Sequence, residues 1–279
     1  MYTERAAAEA FRRRLLRWYA REGRRLPWRR TKDPYAILVS EVMLQQTQVA
    51  RVLPAYASFL RRFPTLRALA RAPLGDVLRA WAGLGYNRRA RDLHRIARAS
   101  PIGLPSDVAS LDRLPGVGAY TAGAVACFAS GARVAFADTN IRRVLGRVVL
   151  GRVASDREAV AIDGELLPSG AATWHHALMD LGAAVCHART PRCEICPVAA
   201  ACRARGRVTP ATPRRQTPFA TSDRRVRGRI IALLRDRDSL TLVALRRGLA
   251  DERVPRLVRA LERDGLVRRR GRRVELPAT

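Results

Sequence analysis

Lysine is almost missing from this chain. Of its 53 basic residues only Lys32 is not an arginine, and acids are scarce too, 24 in 279 residues. The resulting net charge of +29 excludes a balanced surface and needs a polyanion or much self-repulsion, with nucleic acid the leading candidate. No uninterrupted apolar run approaches the roughly 20 residues of a membrane span, which excludes a helical membrane protein. The first stretch, "MYTERAAAEAFRRRLLRWYARE", lacks the apolar core of an export signal and carries Glu4, Glu9 and Glu22. It reads as a surface helix of a soluble, cytoplasmic protein. Strand patterning is absent from about residue 5 to 205. Apolar residues recur there at helical spacing, broken by Gly and Pro, so this part is expected to be all-α.

Cysteine is confined in the same way. Four of the five fall in "CHARTPRCEICPVAAAC": Cys186, Cys193, Cys196 and Cys202, spaced C-x6-C-x2-C-x5-C. Without an export signal a disulfide framework is disfavoured, and clustered thiols imply metal. Zinc modules usually present two close pairs. Here only the middle pair is close and the outer thiols arrive singly, which favours a [4Fe–4S] cluster wrapped by a loop over zinc. Cys127, in "AGAVACFAS", reads as a buried core thiol.

What is present in excess is arginine near the C-terminus. Residues 203–279 contain 22 arginines and 8 acids. A Pro/Thr-rich segment, "RVTPATPRRQTPFATSD", reads as a linker. Beyond it come three short amphipathic helices and a basic stretch, "LVRRRGRRVEL", that alternates around Gly271 as a small hairpin would. This order suggests a winged-helix-like domain, with a plain three-helix module as the alternative.

Two carboxylates stand out. Glu41 sits in "DPYAILVSEVMLQQTQVARVL", an apolar helix with no Lys or Arg before Arg51. Burial there raises a carboxyl pKa. Asp138, in "FADTNIRRVLGRVV", precedes a helical run. It serves as an N-cap on the bland reading, and on the functional one as a carboxylate kept ionised by amide donors and the helix dipole. Asn140 is placed to orient it. Opposed environments of this kind suit an acid and an electrostatic stabiliser, the division that N-glycosidic cleavage of a purine requires. Between them lies "RLPGVGAYTAGAV", where Pro115, Gly116 and Gly118 break one helix and open another. The bare amides can hold a phosphate, although close helix packing explains the glycines about as well.

The cysteine spacing and the Gly-rich turn followed by Asp138 resemble the helix-hairpin-helix DNA glycosylases of the endonuclease III type. "LPWRRTKDPYAILVSEVMLQQTQVARVLPAY", "WAGLGYNRRARDLH", "LPGVGAYTAGAVACFA", "DTNIRRVL" and "ALMDLGAAVC" resemble successive motifs of the MutY-type adenine DNA glycosylases over residues 15–205. The resemblance implies a six-helix barrel lobe (29–133) and a cluster lobe (1–28 with 134–205), then a linker (206–222) and a basic domain (223–279). It implies base excision repair, with adenine opposite 8-oxoguanine or guanine flipped out of double-stranded DNA and hydrolysed by a monomer acting on nucleoid DNA. By position, Glu41 corresponds to the acid that protonates adenine and Asp138 to the carboxylate that stabilises the sugar cation. Asn140 and Tyr120 correspond to supporting residues of that site, and Trp28 and Arg29 to its pocket wall. Leu44, Gln45 and Gln46 correspond to the wedge that fills the space left by the base, an arrangement needed because flipping costs a few kcal/mol. Tyr86, Gly116 and Gly118 join the DNA-facing set, and the four cysteines correspond to the cluster ligands.

Four departures accompany the resemblance. Endonuclease III-type relatives carry a Schiff-base lysine where this chain has Tyr120, and Lys32 lies outside the hairpin, so little or no lyase activity is expected. Asn87 follows Tyr86 where a second aromatic is common. His176 aligns with a Gln or Glu that contacts adenine, and it offers one donor and one acceptor when neutral. Residues 206–279 are too few for the NUDIX-like domain of many relatives. The competing readings are a thymine or uracil mismatch glycosylase of the same superfamily and a non-catalytic iron–sulfur DNA-binding protein.

Overall fold

The computed structural model describes residues 2–207 and 217–278. Most of the expected linker, residues 208–216, lies outside the described residues. The described residues form two compact units. One gathers those within Met1–Ile37, Ser106–Asp112 and Val117–Arg214, the other those within Leu38–Pro105, Arg113–Gly116 and Arg215–Thr279. Up to residue 207 every regular element is helical, as the 3.6-residue periodicity requires. No described helix is long and apolar enough to cross a membrane.

In chain order the helices are α1 (Tyr2–Glu22), α2 (Pro34–Leu44), α3 (Val49–Arg62), α4 (Leu66–Arg71), α5 (Leu74–Ala80), α6 (Arg88–Ala99), α7 (Val108–Asp112), α8 (Ala119–Ser130), α9 (Thr139–Leu145), α10 (Asp156–Leu166) and α11 (Ala171–Ala184). In the first unit α1 packs on α11, with Phe11 edge-on to Trp174 at 5.5 Å between ring centres. Beneath them Asp163 of α10 is fully buried and fully engaged. It accepts hydrogen bonds from Trp174 Nε1 (2.7 Å) and the Phe136 amide (3.1 Å), and lies 2.8 Å from His175 Nε2. A capping box of Ser155 and Glu158 starts α10. Helices α9 and α11 cross at Gly182, where a β-carbon would stand 2.6 Å from Asn140 Cβ, so only glycine allows the approach.

In the second unit Phe59 of α3 lies edge-on to Phe63 and Trp81. The C-terminal residues add α12 (Asp223–Arg235), β1 (Leu240–Thr241), α13 (Leu242–Leu249), α14 (Val254–Arg263), β2 (Arg268–Arg270) and β3 (Arg273–Glu275). The strands form one antiparallel sheet of order β1-β3-β2, with Gly271 supplying the positive φ of the β2–β3 turn. Helix, strand, two helices and a hairpin is winged-helix topology. The sequence marks "LTLVALRRG" as helix throughout; instead Leu240–Thr241 pairs with β3 before α13 begins, because Thr241 can cap that helix by accepting from the Ala244 amide. Helix α12 lies along α5: Arg235 donates to Leu78 O (2.9 Å) and to Asn87 Oδ1 (3.1 Å), and Arg79 donates to Arg235 O (3.2 Å).

Candidate active-site residues and nucleic-acid interface

Asp138 is the N-cap of α9, in extended backbone. Its Oδ1 accepts from the amides of Asn140 (2.9 Å) and Ile141 (2.7 Å), and its Oδ2 accepts from Asn140 Nδ2 at 2.8 Å. Both oxygens are fixed by N–H donors at a helix N-terminus, where the dipole favours negative charge. Asn140 is fixed in turn, its Oδ1 accepting from Arg143 Nη2 at 2.7 Å. Arg143 also donates to Cys186 O (2.6 Å) and Gly182 O (2.7 Å), linking the cap to the cysteine loop. Burial pushes its pKa down, with the nearby Cys186 sulfur opposing. One turn on, Arg147 reaches the same loop through Cys186 Sγ (3.3 Å), His187 O (2.7 Å) and Ala188 O (2.7 Å). Neither arginine is singled out by its sequence context. The available signal is their i, i+4 spacing across the end of α9 and the π-helical turn Gly146–Leu150 that continues it, which points both at one neighbour.

Cys186, Cys193, Cys196 and Cys202 are unpaired as disulfides, half-buried, and line a single hollow with Val144, Arg147 and Val198. Burial pushes the Cys196 thiol up to about 11, with the three other thiols adding to the rise. Among the described residues no group of three or more His, Cys, Asp or Glu side chains is gathered closely enough for a metal ion. The donor chemistry nevertheless suits a [4Fe–4S] cluster: four soft ligands around one hollow, and an Arg147 N–H aimed at a ligand sulfur. Cys127 is fully buried, its thiol pushed up to about 12 by burial, as expected of a core residue.

Other expected site residues fall in the same unit. Trp28 is buried just after Pro27. Arg29 is a buried ion-pair partner, donating to both oxygens of Asp180 at 2.8 Å while Asp180 also accepts from Arg24. Burial opposes the Arg29 charge, but the Asp180 bonds outweigh it and raise its pKa. Tyr120 on α8 lies edge-on to Phe136 at 5.6 Å. His176 stacks on Phe128 at 4.3 Å, and burial first, then Arg29, pushes it down to about 3. It is therefore neutral near pH 7. Gly118 caps α8 with open space where a side chain would be, as a phosphate-binding turn requires. The sole lysine, Lys32, is tied to Phe128 O at 2.9 Å.

The second unit holds Glu41, Leu44, Gln45, Gln46, Tyr86 and Gly116. Glu41 lies in the buried part of α2 at 6% exposure, between Ser40 and Val42. Gly116 has φ +74 and sits against Asp92, so a β-carbon there would be strained as well as crowded. Gln46 and Tyr86 carry left-handed backbone, φ 56 and 46. The residue that holds both turns goes unnoticed in the sequence. Buried Arg89 donates to Val42 O and Met43 O (2.9 Å each), Thr47 Oγ1 (3.1 Å), Leu84 O (3.1 Å) and Gly85 O (3.2 Å), and also to Gln45 O. Its burial pushes its pKa down to about 10. Only its place in "GLGYNRRARDLH" hints at this role, and charge alone does not separate it from Arg88 or Arg91.

Residues 39–168 match the HhH-GPD superfamily base excision DNA repair proteins. Over 234 residues the chain is 48% identical to an adenine DNA glycosylase of Mycobacterium tuberculosis, covering 79% of this chain and 77% of that one. It is 41% identical over 229 residues to the human adenine DNA glycosylase, covering 75% of this chain and 42% of the human protein. Among solved structures, a thermostable thymine-DNA glycosylase superposes with a TM-score of 0.66 at 27% identity, covering 73% of this chain and 98% of that one. With such identity across most of two chains of similar extent, and with helical architecture to match, this chain belongs to the adenine DNA glycosylases of the HhH-GPD superfamily.

Proposed function

We propose that the protein is a monofunctional adenine DNA glycosylase of base excision repair. It binds double-stranded DNA as a monomer in the cytoplasm and hydrolyses the N-glycosidic bond of adenine opposite 8-oxoguanine or guanine. The observation that carries this reading is Asp138, whose two oxygens are pinned by three N–H donors. A carboxylate oriented in this way stabilises positive charge growing on a sugar, and it needs no reorganisation as the bond breaks. Glu41, buried in α2, supplies the proton that turns adenine into a leaving group. Electrons of the C1′–N9 bond leave with the protonated base, and water adds to the sugar cation beside Asp138. Neutral His176, on the Phe128 ring, offers one donor and one acceptor to a purine edge. The Schiff-base position of the lyase relatives is held by Tyr120, and the one lysine, Lys32, lies outside the hairpin and donates to Phe128 O, so the reading is hydrolysis rather than lyase chemistry. Cys186, Cys193, Cys196 and Cys202 would hold a [4Fe–4S] cluster, which when bound crosslinks the loop that Arg143 and Arg147 join to the Asp138 cap.

Single-turnover base release tests the reading with duplexes carrying A opposite 8-oxoguanine, A opposite G, T opposite G and U opposite G. Adenine release is expected from the first two, falling about 10²–10⁴-fold in Glu41→Gln and Asp138→Asn while duplex binding persists. Unchanged release in both variants defeats the assignment of these carboxylates. The likeness to a thymine-DNA glycosylase supports a second reading, excision of a mispaired pyrimidine, and release of T or U in place of adenine would establish it.

A further inference from the structure

Asp163 and His175 lie in the interior of the first unit, both at 0% exposure, and the reaction as proposed uses neither. An acid so deep is retained only with partners, and each oxygen here has one. Asp163 Oδ1 accepts from Trp174 Nε1 at 2.7 Å, and Oδ2 accepts from the Phe136 amide at 3.1 Å. His175 Nδ1 lies 2.8 Å from Ala171 O, which can only accept, so that nitrogen carries a proton. The 2.8 Å contact between His175 Nε2 and Asp163 Oδ2 holds a second proton, whichever atom carries it. Replacing a buried set of this kind by apolar side chains is often neutral for stability, so stability alone does not account for it.

What the pair orients is Phe136. Asp163 fixes its backbone amide, and the His175 ring covers its side chain, 3.9 Å between ring centres and 19° from parallel. Gly123 of α8 lets the ring seat closely, since a β-carbon there would stand 3.0 Å from Phe136 Cβ. Held in this way, Phe136 meets Tyr120 edge-on at 5.6 Å and Phe128 edge-on at 5.7 Å. Phe128 in turn carries the His176 ring. Two residues further along the chain stands Asp138. Phe136 is thus the point at which the segment entering α9 is fastened to the aromatic side chains of the site.

We propose that Asp163 and His175 are positioning residues for the glycosylase reaction. Through Phe136 they set the place of the Asp138 carboxylate and of the Tyr120 and His176 rings, without touching the substrate themselves. This rests on the reading of Asp138 as the group beside the sugar cation. If the Phe136 segment slides, that carboxylate is misplaced, and a displacement of about 1 Å costs about 100-fold in rate.

Two variants break the pair in different ways. His175→Phe keeps a ring against Phe136 and removes the bond to Asp163, whereas Asp163→Asn removes one acceptor oxygen. Trp174→Phe is the matched control, because it costs the same carboxylate a hydrogen bond on the oxygen that does not hold Phe136. Single-turnover adenine release is expected to slow about 10- to 100-fold in the first two. Their affinity for a duplex carrying uncleavable 2′-fluoro-2′-deoxyadenosine should stay within about twofold of wild type. Trp174→Phe should lose a similar amount of thermal stability and keep its release rate within about threefold. The amide resonances of Asn140 and Ile141, which report the bonds to Asp138, should move in the pair variants and stay in place in the control. Three results overturn the proposal: release unchanged in both pair variants, a control slowed as much as they are, or Asn140 and Ile141 resonances that do not move. A wild type that releases no adenine would instead defeat the glycosylase reading, and the amide resonances would still decide this one.

Discussion

At the scale of single residues, His176 shows how environment assigns a role that residue type leaves open. The ring is stacked on Phe128 and held near Arg29, Lys32 and Asp180, with burial the main cause of its pKa falling to about 3. In the unfolded chain a histidine protonates near pH 6.5. Between those values the unfolded state binds a proton that the fold refuses, so this ring lowers stability as pH falls from about 6.5 towards 3 and has no such effect above 6.5. His176→Phe should therefore flatten the decline of the urea midpoint between pH 6.5 and 4, and identical slopes for variant and wild type would refute the account. Sequence supplied the residue and its alignment with an adenine-contacting position. It could not supply the charge state, because Phe128 lies 48 residues away and meets the ring only through folding. Asp138 was more legible, since capping is a local matter of an acid before a helical run. Arg29 was less so: the resemblance of "LPWR" to a family motif suggests a pocket wall, and only the fold brings Asp180 to both its nitrogens.

At the scale of elements, the geometry of the Asp138 cap depends on how closely two helices meet. Asn140 on α9 and Gly182 on α11 touch where any β-carbon would stand 2.6 Å from Asn140 Cβ and 3.1 Å from its Cα. The nearer contacts include backbone, so a rotamer change cannot relieve them and the helices must shift by several tenths of an ångström. Asn140 Nδ2 would then lose alignment with Asp138 Oδ2, and Arg143, bonded to both Asn140 and Gly182 O, would move as well. Gly182→Ala is expected to slow adenine release about 10- to 100-fold while keeping duplex affinity within about twofold, because misplacing a reacting group costs rate rather than binding. Parallel losses of rate and affinity would show that the crossing serves only the fold. Helix periodicity announced α9 and α11 from sequence, but a glycine inside a helix does not say which neighbour needs the space.

At the scale of the whole molecule, the dominant feature is charge, and its consequence is a dependence on salt. Neutralising phosphates releases condensed counterions, so log K falls linearly with log salt at a slope of about 0.9 per contact. The +29 charge predicts a steep slope but does not locate the contacts, because many arginines are committed internally. On the C-terminal hairpin Arg269 is paired with Glu262, Arg270 with Glu275, and Arg273 donates to Ser239. Arg268 and Arg272 carry no such acidic neighbour among the ion pairs of the described residues, and both are exposed. If this wing lies along the DNA backbone, these two side chains make its phosphate contacts. The Arg268→Ala, Arg272→Ala double variant should then reduce the slope by about two and weaken all duplexes alike, whatever base stands opposite the adenine. An unchanged slope would assign the wing to solvent. A loss confined to guanine-type partners would instead mark a base contact in place of phosphate contacts.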